Sequence, residues 1–158
     1  MDVISSRSWR QTDRDKRWRR DDGRGPAATE AIRQLVPFAA ALGVEVVTSS
    51  PDEVRARVEW RPERCTTAGV LHGGVIMSLA DTTGATCAFQ NLPEGAAGTT
   101  TIESKTNFLR AVRDGYAEAV SRPLHAGRTV VVIETDVTDA AGRPVAKILQ
   151  TQAVLRAG

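Results

Sequence analysis

The sequence lacks the features that mark a membrane or secreted protein. No apolar run approaches the ~18–20 residues that a transmembrane helix needs, and the first residues contain no apolar segment of the kind found in secretory signals. Cysteine is scarce as well, because Cys65 and Cys87 are the only two, which is too few for a disulfide framework. We therefore expect a cytoplasmic protein whose two thiols are reduced.

Motifs for the common cofactors and nucleophiles are also missing. The two histidines, His72 and His125, and the two cysteines show none of the paired spacings that are typical of zinc sites. No Gly-x-Gly-x-x-Gly or Walker-type loop is present to bind phosphate, and no Gly-x-Ser-x-Gly elbow presents a serine nucleophile. The sequence therefore predicts neither a metal nor a redox cofactor.

The overall composition is that of one globular domain. The chain has 158 residues, of which 41% are hydrophobic and 25% charged, and aromatic residues make up only 4%, so we expect an aliphatic core. The net charge of +2 is unevenly spread. Residues 1–26 hold eight Lys or Arg and five Asp or Glu, whereas residues 27–158 hold thirteen and fourteen. The nearly neutral body gives no support for a nucleic-acid partner.

The first 26 residues differ from the rest of the chain. They are dense in charge, poor in aliphatic residues and end in two glycines and Pro26, so they cannot bury enough surface to offset their chain entropy. Trp9 and Trp18 among eight cations could stack on nucleic acid or lie at a membrane surface. Interspersed aspartates weaken that field, and we favour a flexible, solvated basic extension that precedes a folded domain at residues 27–158.

The folded part begins with a helical pattern and two strands. Thr29 can cap a helix that ends at Gly43, and Pro37 is expected to kink this helix or split it in two. Strands are predicted at about residues 44–49 and 53–60. In the second of them apolar and charged residues alternate, which indicates one buried and one wet face.

A longer helix is predicted over residues 73–89, and further strands follow it. The links between these strands are too short for a crossover helix and fit an antiparallel meander. The expected fold is α+β, with about six mostly antiparallel strands wrapped around one long helix. Sheet edges left without cover predict an oligomer. The strands predicted after the helix are residues 99–109, 116–124, 129–137 and 144–155.

Residues that could do chemistry concentrate at the start of the long helix. His72 precedes Gly73 and Gly74, and the first turn of a helix has free N–H groups and a partial positive charge. Such donors could hold a carbonyl oxygen that gains negative charge, as an oxyanion hole does. The glycines could equally serve only to let the loop and the helix pack tightly.

Asp81 is the least expected residue of this helix. It follows a mostly apolar stretch, lies about two turns past the helix start and is too deep to act as a cap. Its neighbours three and four residues away are Met77, Ser78, Gly84 and Ala85, so no cation pairs with it along the helix. We expect a buried acid that acts as a general base or as a nucleophile on an acyl carbon. The alternative is a solvent-facing stripe shared with Ser78.

The loop, the His72-Gly73-Gly74 sequence and an Asp nine residues after the His resemble the hotdog-fold acyl-CoA thioesterases. The group with the closest resemblance is the PaaI-like one, from phenylacetic acid degradation. The resemblance covers about residues 30–156 and leaves out the basic extension. Segments after the helix resemble the same family more weakly. They are Asn-Phe-Leu-Arg at 107–110, Gly115, Gly-Arg at 127–128, and Asp-x-x-Gly-Arg at 139–143.

The resemblance implies an enzyme and an assembly. The expected reaction is hydrolysis of a medium-sized or aryl acyl-CoA to the acid and free CoA, in a dimer or tetramer with active sites at the dimer interface. Asp81 would be the base or nucleophile. The N–H of Gly73 would polarise the thioester carbonyl from the other subunit, with His72 and Gly74 beside it.

The resemblance also suggests residues around this centre. Thr66 stands six residues before the His, where similar enzymes often carry an amide, and its hydroxyl could hold a water instead. Thr99 and Thr100 could offer a hydroxyl to the site. Cations would meet the phosphates of coenzyme A, although each candidate could equally be a solvated strand-end charge. The candidates are Arg110, Arg113 and Arg128.

Two other functions fit the sequence less well. A non-catalytic acyl-CoA-binding sensor or regulator would have the same fold, and Thr66 and the basic extension leave room for it. The intact His72, Gly73 and Asp81 favour the enzyme. A hydratase or dehydratase would pair an acid with a His, but His125 falls in a predicted turn without an evident partner.

Overall fold

The computed structural model describes residues 25–156. Residues 1–24 and 157–158 lie outside the described part, so the flexible N-terminal extension stays a prediction. Helices α1 (Pro26–Leu35) and α2 (Pro37–Leu42) come first, and a long helix, α3 (Gly73–Gln90), follows a 3-10 turn at Pro62–Arg64. The strands are β1 (Glu45–Ser49), β2 (Val54–Glu59), β3 (Ala96–Phe108), β4 (Tyr116–Ala126), β5 (Val130–Asp139) and β6 (Pro144–Arg156).

All six strands form one antiparallel sheet in the order β1-β2-β4-β5-β6-β3. Helix α3 packs on one face of this sheet, and the aliphatic core lies between them, as the low aromatic content predicted. The alternation predicted for β2 is confirmed, because Val54, Ala56 and Val58 are buried while the residues between them are not. The expected α+β architecture, one sheet around one long helix, is therefore what the chain forms.

The meander prediction is wrong for β3. Of the last four strands, only β4, β5 and β6 follow one another in the sheet, whereas β3 pairs with β6 and becomes an edge strand. The link at residues 109–115 can cross the ends of β5 and β6, because seven extended residues reach about 23 Å and three strand spacings are about 14 Å. Val112 of this link is buried and accepts a 2.8 Å hydrogen bond from the N–H of Leu71, which anchors the link to the loop before α3.

The leading helices follow the predicted break but not the predicted cap. Helix α1 begins at Pro26, where a proline ring already has a helical φ. Thr29 lies inside α1, and its hydroxyl accepts a 2.8 Å hydrogen bond from the N–H of Val46, so it ties α1 to β1 instead of capping the helix. The break at Pro37 is confirmed, and Gly43 ends α2 with φ 72°, a left-handed conformation that favours glycine.

Helix α3 is enclosed along its second half and partly open along its first. Ile76, Leu79 and Ala80 are buried as predicted, but Met77 is 42% exposed. None of the helices within residues 25–156 is long and apolar enough to cross a membrane. The enclosed residues of the second half are Thr83, Gly84, Thr86, Cys87 and Ala88.

Paired charges cover the face of the sheet opposite to α3. Arg55 contacts Glu118 at 2.8 Å, and Arg122 contacts Glu53 at 2.6 Å. The hydrogen bond that Arg55 donates to the carboxylate of Glu118 raises the pKa of Arg55, against the opposing effect of partial burial. Ion pairs near the surface add little to stability, but they make this face of the sheet hydrophilic.

The enclosure of α3 predicts very different reactivities for the two thiols. Cys87 is buried, and burial raises the pKa of its thiol to about 12, with the charges of Asp52 and Glu53 acting in the same direction. Since the thiolate is the reactive form, a thiol reagent at pH 8 should label one cysteine per chain quickly, namely the half-buried Cys65. The Cys65→Ser variant should lose the fast phase, and Cys87 should react only after unfolding. Two fast equivalents in the native protein would contradict this packing of α3.

Candidate active site

Asp81 lies on α3 where the sheet ends. Its side chain is exposed in the single chain, so the expected burial is wrong. The physical reason is that β3 is the last strand of the sheet, and no strand within residues 25–156 extends beyond it to cover this face of the helix. The solvent-facing alternative is only half right, because Ser78 is half-buried and donates a 2.8 Å hydrogen bond to the carbonyl of Gly74.

One oxygen of the Asp81 carboxylate is held by two neighbouring strands. Its Oδ1 accepts a 3.0 Å hydrogen bond from the hydroxyl of Thr101 on β3 and another from the side-chain amide of Gln150 on β6. Its Oδ2 has no hydrogen-bond donor among residues 25–156. The carboxylate is therefore oriented by the sheet edge and keeps one oxygen available to a ligand.

His72 caps the helix. It is the N-cap residue of α3, and its Nδ1 accepts a 2.9 Å hydrogen bond from the N–H of Gly74. Its own N–H donates to the carbonyl of Arg64 at 2.9 Å. Because Nδ1 is an acceptor, the proton of the neutral imidazole must be on Nε2. The role that the geometry gives His72 is to fix the first turn of α3.

The N–H of Gly73 is the free donor of this turn. It has no acceptor within the described part of the chain, whereas the N–H of Gly74 is engaged by His72. The ring of Phe108 lies over Gly73, and a Cβ at that position would be 3.1 Å from the ring. Since the N-terminus of a helix carries a partial positive charge, this N–H can polarise a carbonyl oxygen next to an aromatic surface.

Gly73 and Asp81 of one chain are too far apart to act on the same carbonyl. Eight residues separate them on α3, and a rise of 1.5 Å per residue makes that distance about 12 Å. A carbonyl group that is hydrogen-bonded to Gly73 thus lies beyond the reach of Asp81 in the same chain. The free N–H and the free carboxylate oxygen belong to two half-sites.

The other predicted residues lie in different places. Thr66 is exposed in the loop before α3, where its N–H donates to the carbonyl of Val70 at 2.8 Å. Thr99 lies near the Asp81 network, with its hydroxyl 3.2 Å from Oε1 of Gln152. Thr100 is exposed on β3, and its side chain makes no hydrogen bond within residues 25–156.

The three arginines predicted to bind phosphate are exposed but do not converge within one chain. Arg113 donates to the carbonyl of Ala68 at 3.2 Å, so it lies at the Gly73 end of α3, where Arg110 also is. Arg128 is next to Thr129, whose carbonyl bonds to Val154 near the far end of β6. Within the described residues, no three His, Cys, Asp or Glu side chains form a group that could hold a metal ion.

Three residues around Asp81 were missed by reading the sequence: Thr101, Gln150 and Gln152. A signal for the two glutamines exists on β6. The inward positions of that strand hold Ala146 and Ile148 and then, at the same spacing of two, both glutamines, which are fully buried. Polar residues that continue a buried stripe need hydrogen-bond partners, so this pattern could have indicated a polar centre at this end of the sheet.

An oriented carboxylate and a free helix N–H, on one helix against an antiparallel sheet, are the groups that an acyl-transfer hydrolase needs. A family model described as the thioesterase superfamily matches residues 68–146, which include both groups. The chain therefore belongs to the thioesterase superfamily, and it is a thioester hydrolase.

Known proteins support this assignment. The structure of thioesterase HI1161 from Haemophilus influenzae has a TM-score of 0.75 and 28% identity, covering 81% of this chain and 90% of that one. The PaaI protein of the Escherichia coli phenylacetic acid degradation operon has a TM-score of 0.72 at 21% identity, covering 82% and 90%. The expected PaaI-like hotdog fold is thus confirmed. The 1,4-dihydroxy-2-naphthoyl-CoA hydrolase of Escherichia coli is 31% identical over 87 residues, which are 55% of this chain and 63% of that protein.

The capping role of His72 can be separated from any chemical role. His72→Ala should lower the free energy of unfolding by about 1 kcal/mol, because it removes the acceptor for the N–H of Gly74. His72→Asn should retain most of the stability, since Asn is a good N-cap residue. Urea unfolding at one fixed protein concentration measures both variants. Equal stability of His72→Ala and wild type would contradict the cap.

Proposed function

We propose that this thioester hydrolase is an acyl-CoA thioesterase that acts on a medium-sized or aryl acyl-CoA. The observation that carries the proposal is the Asp81 carboxylate, with one oxygen held and the other free, on a helix whose N-terminal N–H at Gly73 is also free. An aryl group is supported by the name of the naphthoyl-CoA hydrolase relative and by the Phe108 ring beside Gly73. The two free cysteines are in keeping with a cytoplasmic enzyme.

In the general-base route, Asp81 activates a water molecule. Its free Oδ2 takes a proton as the water oxygen bonds to the thioester carbon. The carbonyl oxygen becomes negatively charged and is stabilised by the N–H of Gly73 and the partial charge of the helix N-terminus. The C–S bond then breaks, and the proton goes to the departing thiolate, which leaves as free CoA.

In the nucleophilic route, Oδ2 of Asp81 itself bonds to the thioester carbon. The C–S bond breaks and CoA leaves, which gives a mixed anhydride between the acyl group and Asp81. Water then hydrolyses the anhydride to the acid and regenerates the carboxylate. Both routes need the same donor at Gly73, and the free oxygen of Asp81 fits either.

We propose that a second copy of the chain completes each site. Within the described residues, β3 is an edge strand of 13 residues whose outer edge is unpaired; it exposes Ile102 and Phe108, and Leu109 directly after it is exposed as well. Long exposed apolar edges are normally paired or covered. Pairing two copies along this edge would cover Asp81 and bring it to the partner's helix N-terminus. The dimer is then the smallest active unit. A tetramer needs a second contact surface in addition to β3, and the outer face of the sheet is occupied by charge pairs.

Coenzyme A would be bound by cations around this interface. Arg110 and Arg113 are at the Gly73 end of α3, with Thr66 in the adjacent loop. We propose that these two arginines meet the phosphates of a CoA whose carbonyl is held there, and that the hydroxyl of Thr66 holds a water near the thioester. Arg128, at the other end of β6, would reach a site only from the second subunit. Thr100 stays a candidate for contact with the acyl group.

The reaction and the role of Asp81 can be tested together. Wild-type protein should release free CoA from members of an acyl-CoA panel that includes aryl thioesters, and Asp81→Asn should lose at least about a hundredfold in kcat, because neither route works without the carboxylate. Asp52→Asn, an exposed aspartate in the turn between β1 and β2, is the control and should keep wild-type turnover. Equal turnover of Asp81→Asn and wild type would refute the role of Asp81. Binding without turnover on every thioester would favour a sensor.

The donor at Gly73 can be removed with little effect on the helix. Gly73 is the first residue of α3, a position that proline favours, and His72 before it already has an extended backbone. Gly73→Pro deletes the N–H, whereas Gly73→Ala adds a Cβ near Phe108 and keeps the N–H. We expect kcat to fall about a hundredfold or more in Gly73→Pro and much less in Gly73→Ala. Similar losses in the two variants would mean that crowding, not the N–H, controls the rate.

Mixing two inactive variants tests whether the half-sites come from different chains. A hybrid of Asp81→Asn and Gly73→Pro subunits has one site with Asp81 from one chain and Gly73 from the other, both intact. With random pairing, half of the dimers are hybrids, so about a quarter of wild-type activity should return. Unfolding and refolding the two variants together allows the exchange. If both groups act within one chain, no activity returns.

A further inference from the structure

Two buried amides on β6 face the catalytic helix. Gln150 and Gln152 are both 0% exposed and continue the inward row of Ala146 and Ile148. Burying an amide in an aliphatic core is unfavourable unless it forms hydrogen bonds. Valine or leucine would fill these positions without that penalty. The contacts that the two amides make therefore indicate the function of the two glutamines.

The amide of Gln150 has one possible orientation at Asp81. A carboxylate can only accept, so the atom that faces Oδ1 must be the NH2 group. The same nitrogen also lies 3.1 Å from the hydroxyl of Thr101. Both N–H bonds of Gln150 are thus directed at the Asp81–Thr101 pair, while its buried Oε1 has no hydrogen-bond partner among the described residues.

The hydroxyl of Thr101 is fixed by the same contacts. It accepts from Nε2 of Gln150 and, at 2.8 Å, from Nε2 of Gln152. A hydroxyl has two lone pairs and one proton, so its proton is left for Oδ1 of Asp81, 3.0 Å away. A bulge in β3 directly after Thr101 keeps this side chain opposite Gln152. Bulges often re-aim a side chain next to an active site.

Gly84 provides the room that Gln150 occupies. It lies three residues after Asp81 on α3, and a Cβ there would overlap Oε1 of Gln150. Glycine inside a helix is less favourable than alanine. Its presence at this buried position is explained if the helix must approach the amide closely at this point.

We infer that Gln150 is the positioning residue of Asp81, with Gly84 and Gln152 supporting it: it holds Oδ1 so that Oδ2 faces the thioester. The inference rests on the proposed role of Asp81. Without these bonds the side chain of Asp81, exposed in the single chain, could rotate about its Cα–Cβ and Cβ–Cγ bonds, so that neither oxygen would keep a fixed direction. An error of about 1 Å in such a group can lower a rate a hundredfold, so a buried amide here affects catalysis without touching the substrate.

Two substitutions of Gln150 distinguish positioning from simple stability. Gln150→Leu should lower kcat about ten- to a hundredfold with little change in KM, since substrate contacts remain. Gln150→Glu adds a second carboxylate beside Asp81, and two adjacent carboxylates do not ionise independently. The two groups then titrate as a pair, so the pH dependence of kcat/KM should differ from that of the wild type. Ser121→Ala is the control: it breaks a buried 2.7 Å hydrogen bond to Thr135 on the same sheet face and should lower stability without changing kcat or the pH profile.

A double-mutant cycle tests the part assigned to Gly84. Gly84→Ala should reduce kcat because its Cβ displaces Gln150 from Asp81. In a Gln150→Ala background the space is empty, so Gly84→Ala should cause no further loss. If the two single-variant losses in kcat instead multiply in the double variant, Gly84 and Gln150 act independently and the part assigned to Gly84 is refuted.

The outcomes separate this inference from the function it rests on. If Asp81→Asn is inactive while Gln150→Leu and Gly84→Ala keep wild-type kcat and pH profiles, the positioning role is refuted and the thioesterase stands. If Asp81→Asn retains full turnover, the catalytic role of Asp81 and the positioning role of Gln150 both fail, and the thioesterase activity stands without them. Should Gln150→Leu not fold, Gly84→Ala still decides, because alanine is favourable in a helix and its effect on kcat measures the displacement of Gln150.

Discussion

The end of the sheet at β3 is the constraint on which the rest of the site depends. Because no strand in the described part of the chain lies beyond β3 in the sheet, one face of α3 is left open, and this face carries Met77 and Asp81. The open face makes the carboxylate accessible, and it also leaves apolar surface and an unpaired strand edge that favour association. The access to Asp81 and the proposed pairing with a second copy thus follow from one structural cause.

The residues that orient Asp81 at this edge of the sheet lower the stability of the fold. The buried Oε1 of Gln150 has no hydrogen-bond partner within residues 25–156, and Gly84 lowers the stability of its helix, so neither residue favours a stable core. Ser121 and Thr135, by contrast, are buried on the inward face and hydrogen-bond each other at 2.7 Å. Departures from good packing that cluster around one carboxylate are what a catalytic site is expected to contain, because accurate placement matters more there than local stability.

The sequence predicted most of what is local. The start of α3, the alternation on β2, the break at Pro37 and the end of α2 at Gly43 follow from periodicity and backbone preference, and each is confirmed. The pairing of β3 with β6 is non-local, and short links alone did not indicate it. The exposure of Asp81 was missed for the same reason: whether a helix face is covered depends on the sheet order, not on its neighbours at helical spacing.

A two-fold pairing along β3 has a further geometric consequence. In a symmetric dimer, contact between Asp81 and the partner's helix start implies the reciprocal contact, so two equal sites form together. Two α3 helices that meet in this way run antiparallel, and their symmetry axis passes midway between Gly73 and Asp81, at Met77. That residue is 42% exposed in the single chain, and its flexible side chain suits contact with its own copy. In the proposed dimer, the rise of about 12 Å between Gly73 and Asp81 would therefore set both the need for a partner and the register in which the partner binds.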